Sequence, residues 1–190
     1  MLLLTLRGTP TLYNGDELGM QDVPIARHQV EDPWEKNVPG LGLGRDPCRT
    51  PMQWTAAAGA GFTQADPWLP LSSDFRQINV EVEAGDETSL LSLYRGLIFL
   101  RQLEPALSVG SYRQMQVEGD LLVYERRYDH QRFVVALNFG GDALPFQLRT
   151  SGAVAASTHP GRPIGEHGFE DSAPLKTLLE PFEGIIVRVA

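Results

Sequence analysis

Roughly seventy residues between Asn14-Gly15 and Thr88 carry no sustained hydrophobic period, yet structureless loops beyond about 15 residues are uncommon in compact domains unless functional or disordered. Disorder does not fit this stretch. It holds Trp34, Trp54 and Trp68, all the tryptophans of the chain, together with Phe62 and Phe75, and disordered segments are poor in aromatics. The chain is therefore expected to fold with an ordered excursion that contains short helices or turns.

The densest part of the excursion is Gly44-Arg45-Asp46-Pro47-Cys48-Arg49-Thr50-Pro51-Met52-Gln53-Trp54. Proline fixes its own φ and biases the preceding residue to extended geometry. Asp46 and Thr50 are thus expected to be extended, and the segment to form a rigid loop. Forked planar donors beside an indole suit a ligand rich in hydroxyls, or else a local carboxylate. In the second case the loop is tied down by an Arg45/Asp46 or an Arg49/Asp46 pair.

On either side of the excursion the elements are easier to read. Met1–Leu6 is apolar and runs into Arg7-Gly8-Thr9-Pro10, which resembles the end of a buried helix. Thr11-Leu12-Tyr13 reads as a short strand entering the Asn14-Gly15 turn. From Thr88, Leu90, Leu93, Leu97 and Leu100 recur at helical spacing. Leu91, Tyr94 and Ile98 widen the stripe, Arg95 and Arg101 lie on other faces, and Pro105 ends the helix. Gly96 weakens this helix by roughly 1 kcal/mol relative to alanine. Beyond it, Tyr112–Val117, Leu121–Tyr128, Phe133–Phe139, Ala143–Leu148 and Ile185–Val189 read as strands with turn residues between them, the pattern of an antiparallel β-sandwich. The expected fold class is α+β, with a boundary that divides the chain into residues 1–106 and 107–190.

At 190 residues and 42% apolar content the chain can bury a core, enough for one large or two small domains. Its 24 acidic against 16 basic side chains give a net charge of −8, which disfavours nucleic acid or an anionic membrane as partner. The opening run Met1–Leu4 is far too short to span a bilayer and lacks the flanks of a signal peptide. Cys48 is the only cysteine, so no internal disulfide forms and a cytoplasmic location is the default expectation.

Few residues are arranged for chemistry on their own. His28, His130, His159 and His167 show no metal-ligand spacing, and no metal site is expected. Gly40-Leu41-Gly42-Leu43-Gly44 lacks the strand–helix context of a phosphate loop. Asp16 and Glu17 are adjacent, which on a strand points them to opposite faces, so at least one is expected to bond backbone in the turn. Glu31 and Asp32, before Pro33, are expected on a loop in solvated or capping roles. No self-contained catalytic set is present.

Taken together, these motifs resemble glycoside hydrolase family 13, the α-amylase family. Gly8-x-Pro10-x-x-x-x-Gly15-x-Glu17 is similar to the family's signature around the last barrel strand. Asp32-Pro33-Trp34-Glu35-Lys36-Asn37-Val38-Pro39 through Gly44-Arg45-Asp46-Pro47, then Arg49-Thr50-Pro51-Met52-Gln53-Trp54, resembles the α-glucosidase branch. Ala60-Gly61-Phe62, Pro67-Trp68-Leu69-Pro70 and Ser89-Leu90-Leu91 with Tyr94-Arg95 continue the pattern. Asn14, Thr55 and Gly96 depart from it, and Thr55 blurs the distinction from trehalose-forming relatives that share the Arg-Thr-Pro-Met-Gln-Trp core.

The resemblance implies that residues 1–106 are the end of a (β/α)8 barrel. Met1–Leu6 would close the seventh helix, Thr11–Tyr13 would be the eighth strand, and Thr88–Gln102 the eighth helix. The excursion would be the loop on the C-terminal face, where barrel enzymes place their sites. The family's nucleophile, acid/base and sugar-holding carboxylates would lie on strands four, five and seven, upstream of Met1, so no catalytic residue is assigned here. Substrate positioning is left to Arg49 and Arg45, with Asp46 as an orienting partner and Trp54 as an apolar wall. The implied partner is an oligosaccharide, bound through the rest of the barrel, with no cofactor. The alternatives are a trehalose synthase-like parent, a non-catalytic carbohydrate-binding module, or a truncated reading frame. An unpaired strand edge and an exposed apolar helix end lead to an expectation of self-association.

Overall fold

The computed structural model describes residues 1–162 and 174–189. His167 lies outside the described residues. The helices are α1 (Leu2–Thr5), α2 (Pro33–Asn37), α3 (Val80–Ala84), α4 (Leu90–Leu103) and α5 (Pro105–Ser108). The strands are β1 (Ser111–Glu118), β2 (Leu121–Tyr128), β3 (Gln131–Asn138), β4 (Leu144–Gln147), β5 (Gly152–Ser157), β6 (Lys176–Leu179) and β7 (Gly184–Val189). Packing divides the chain into one unit of residues 1–11 with 95–190 and a second of residues 12–94. These units do not coincide with the 106/107 boundary.

The first unit is built on a five-stranded antiparallel sheet of order β1-β2-β3-β7-β5, with β4 and β6 pairing as a second sheet. Side chains alternate across a strand, so each long strand feeds two faces. Val123, Val134, Ala136, Ile185 and Val187 join Phe146, Leu148 and Leu179 in one core between the sheets. This is the sandwich that the turn spacing implied. Two strands escaped the sequence pattern. Gly152–Ser157 is made of small residues, and Lys176–Leu179 is only one short rung of alternation.

The α1 segment is docked on one side only, with Leu3 and Leu6 left exposed. Leu4 and Thr5 are buried, and Thr5 Oγ1 lies 2.5 Å from Tyr124 Oη. Arg101 donates to the carbonyls of Leu4 at 2.9 Å and Leu107 at 2.7 Å. The fully buried Arg126 donates to the carbonyls of Thr5 and Gly110. Terminal helix carbonyls lack intrahelical partners, and two guanidiniums satisfy them here.

In the second unit Leu18, Met52 and Leu91 form a small core, with Met20, Ile78 and Val80 packed against it. Thr11–Tyr13 is not a strand. No described strand runs beside it, and Tyr13 instead closes a turn, its N–H donating to Asp16 Oδ2 at 2.8 Å and its carbonyl accepting from Asp16 N. Gly15 sits at φ 93°, where a Cβ would meet Met20 Sδ at 2.6 Å. The excursion contains α2, α3 and 3-10 turns at Asp16–Leu18, Arg27–Gln29, Asp46–Cys48 and Ala58–Gly61. Asp46 is therefore part of a turn and not extended, since proline is tolerated in the first turn of a helix.

Candidate functional site

The site is organised by two buried carboxylates in the second unit. Asp46 is 5% exposed, and its Oδ2 accepts from the backbone N–H of Glu31 at 2.6 Å and of Asp32 at 2.8 Å. It clasps the turn at residues 45–48 to the segment entering α2. Asp32, 3% exposed, caps α2 by accepting from Trp34 N at 2.8 Å. Capping of this kind suits an Asp that precedes Pro at the first helical position.

Asp32 has a second role. Its Oδ2 accepts from Arg45 Nε at 3.1 Å and lies 3.9 Å from Arg49 Nη1. Both arginines of the motif thus share Asp32 as counter-charge, and neither is paired with Asp46, as the sequence had suggested. The N–H of Trp34 holds the Asp32 carboxyl below its ordinary range; burial opposes this and Arg45 reinforces it. Asp32 is accordingly ionised at neutral pH.

Arg49 also donates from Nε to Tyr13 Oη at 3.0 Å. That bond, with Asp32 nearby, holds Arg49 above its ordinary pKa against partial burial. Its side chain remains 42% exposed, so the outer guanidinium nitrogens can reach a hydroxyl-bearing ligand. Trp54 is 47% exposed. Its backbone is fixed by Ala60 and Glu81, with Trp54 N donating to Ala60 O at 2.9 Å and Glu81 N to Trp54 O at 3.0 Å. No hydrogen bond or ion pair among the described residues joins Trp54 to the Asp32 cluster. Gln53 beside it is fully buried, donating to the Ile78 carbonyl.

Asp16 and Glu17 both bond backbone, Asp16 to Tyr13 N and Glu17 Oε2 to Gly15 N at 3.1 Å, which leaves them as turn residues. A neighbouring pocket of about 1060 Å³ is bounded by Asp22, Arg27, Glu31, Glu35, Asp46 and Pro47 among others, and Arg49 does not line it. Among the described residues no group of His, Cys, Asp and Glu is placed to hold a metal ion, and no helix is long and apolar enough to cross a membrane. Two participants were missed from sequence: Tyr13, read as a strand residue, and Asp32, read only as a cap. The Asp-Pro dipeptide marks the cap but carries no sign of a charge partner thirteen residues downstream.

The family model described as alpha amylase, catalytic domain, matches residues 1–110. A probable alpha-glucosidase of Rhizobium meliloti (strain 1021) is 33% identical over 147 residues, covering 77% of this chain and 27% of that protein. A probable oligo-1,6-glucosidase of Bacillus subtilis (strain 168) is 34% identical over 161 residues, covering 75% of this chain and 29% of that protein. The solved trehalulose synthase MutB from Pseudomonas mesoacidophila MX-45 superposes with a TM-score of 0.80 at 31% identity, covering 100% of this chain and 37% of that one. The chain thus spans between 27% and 37% of the length of these relatives. With the catalytic-domain model matching through residue 110 and the barrel-end motifs in place, the chain belongs to the α-amylase family.

Proposed function

We propose that this chain provides the closing part of an α-glucosidase-like barrel and its C-terminal β-sandwich, in an enzyme that cleaves α-glucosidic bonds of oligosaccharides with retention. Residues 1–106 belong to the catalytic barrel and residues 107–190 to the sandwich. The family match across residues 1–110 carries the proposal. Within it, Arg49 contacts substrate hydroxyls. Tyr13 and Asp32 hold its guanidinium on one side and leave the outer nitrogens toward the ligand. Arg45 and Asp46 brace the loop, and Trp54 offers an apolar wall to a sugar ring. A retaining glycosidase needs two carboxyls about 5–5.5 Å apart across the scissile bond. The family places them on other strands, so these 190 residues alone are expected to be catalytically silent. A cytoplasmic location is part of the same proposal.

The test is a chimera in which these residues replace the matching segment of the Bacillus subtilis relative. Hydrolysis of a chromogenic α-glucoside is expected. A chimera with native circular dichroism and thermal unfolding but no turnover of any α-glucoside would sink the idea. The likeness to a trehalulose synthase favours a second reading, a parent that forms a disaccharide, as a trehalose synthase-like enzyme would. That parent would yield a new disaccharide where a hydrolase yields free glucose.

A further inference from the structure

The first unit carries a charged pocket with no part in the proposal above. On β1 and β2, Ser111 stands opposite Arg127 and Arg113 opposite Glu125; on β2 and β3, Arg127 stands opposite Arg132. All share the face that, further along the same strands, buries Val123, Val134 and Ala136. At this end of the sheet the face opens into a pocket of about 760 Å³ lined by these charged residues with Ser111, Tyr112 and His130.

The balance of charge is uneven. Three guanidiniums surround one carboxylate, on a chain whose net charge is −8. Glu125 is buried and accepts from Arg113 Nε at 3.2 Å and from Arg132 Nε. Burial raises its pKa, but the bonds from Arg132 and Arg113 outweigh this and hold it lowered. The Arg127 guanidinium makes no hydrogen bond or ion pair within the described residues. It faces Arg132 directly across the ladder, and like charges in that register are destabilising. An anion between them would remove the repulsion and take up free donors of all three forks, the geometry in which arginine binds oxyanions bidentately.

We propose that this pocket binds a tetrahedral oxyanion, phosphate or the phosphate group of a small molecule, with Arg127 as its main ligand and Arg113 and Arg132 flanking it. A dianion matches the surplus of two positive charges left by three guanidiniums and one carboxylate; a carboxylate monoanion does not.

The experiment titrates the full 190-residue chain, isotopically labelled, with inorganic phosphate at slightly alkaline pH and reads backbone amide shifts. Sodium chloride at matched ionic strength, sodium acetate and β-glycerophosphate are run in parallel. Saturable shifts confined to residues 111–113, 125–127 and 130–132 are expected with phosphate. Arg127→Ala and Arg127→Gln should each weaken binding at least tenfold. In chloride their melting temperature should equal or exceed that of the parent chain, because a repulsive neighbour is gone. Binding of β-glycerophosphate at least as tight as phosphate would identify a phosphorylated molecule as the ligand, and phosphate alone a free ion; both support the site. No shift beyond chloride, equal binding of acetate, or phosphate affinity unchanged in both Arg127 variants would overturn it.

Discussion

Asp46 is the residue whose loss should most damage the excursion. Its carboxylate accepts two backbone N–H bonds, from Glu31 and from Asp32. A hydrogen bond to a charged group contributes about 1.5–3 kcal/mol, and a buried donor left without a partner costs about 1–3 kcal/mol. The bond from Asp32 N is buried, whereas the one from Glu31 N, on an exposed residue, is only part-buried. One donor therefore suffers the whole penalty in Asp46→Ala and the other only part, for a total of about 2–4 kcal/mol. Urea slopes for small units are about 1–3 kcal/mol/M, so the transition should move by roughly 0.7–4 M. The assay is convenient because Trp34, Trp54 and Trp68 all lie in the unit of residues 12–94. Tryptophan emission then follows that unit, and far-ultraviolet dichroism of the sheet follows the other. Asp46→Asn keeps an acceptor oxygen in place and should lose less than half as much. The reasoning is refuted if Asp46→Ala leaves the tryptophan transition within error of the parent, or if Asn costs as much as Ala.

In a catalytically competent chimera, Arg49→Ala should lower kcat/KM by roughly 10- to 150-fold with little change in melting temperature, while Arg45→Ala should mainly lower stability; kinetics and melts that show the opposite pattern would reverse the two roles. Glu183, buried with Arg162, is held below its ordinary value of 4.5; burial raises it, but bonds from Arg162, Ser157 and the Glu180 N–H prevail. A depressed carboxyl pKa contributes stability above the unfolded value that is lost as pH falls through the folded one, so the sheet unit should destabilise below about pH 4.5, and Glu183→Gln should cost about 3 kcal/mol at pH 7 while flattening that acid limb. Burial pushes Tyr124 up to about 12 from 10.0, against the Thr5 hydrogen bond; here the unfolded state ionises first, so stability should be lost as pH rises from 10 to 12, and the last tyrosinate to form in an ultraviolet titration should be absent from Tyr124→Phe, which should cost about 1 kcal/mol. Gly96 is a helical residue whose added Cβ would meet nothing within 4 Å, so Gly96→Ala should raise stability by about 0.5–1 kcal/mol in denaturant unfolding.

Much of this protein was written in local patterns. The leucine spacing of α4, the Pro105 stop and the apolar runs of β2, β3 and β7 with the turns between them follow from local pattern and turn chemistry, because each is decided by residues within a few positions of one another. The same holds for the backbone-bonding role of Asp16 and Glu17 and for the capping role of Asp32. The motifs of the Arg45–Trp54 stretch, with those around it, were enough to find the family. Long-range pairing was a different matter. Which carboxylate serves Arg45 and Arg49 depends on how the turn at 46–48 folds back on α2, and Asp46 is occupied by backbone donors that no side-chain pattern reveals. Thr11–Tyr13 has the composition of a strand, but a ladder requires a neighbour, and here its backbone closes a turn instead. The docking of Leu4 and Thr5 is held by Arg101 and Arg126 reaching carbonyls about a hundred residues away in sequence, a distance over which sequence periodicity carries no information. Sequence determined the long helix, the longer strands and the family; the tertiary fold alone decided who pairs with whom, because a buried charge takes whichever partner the packing brings within reach.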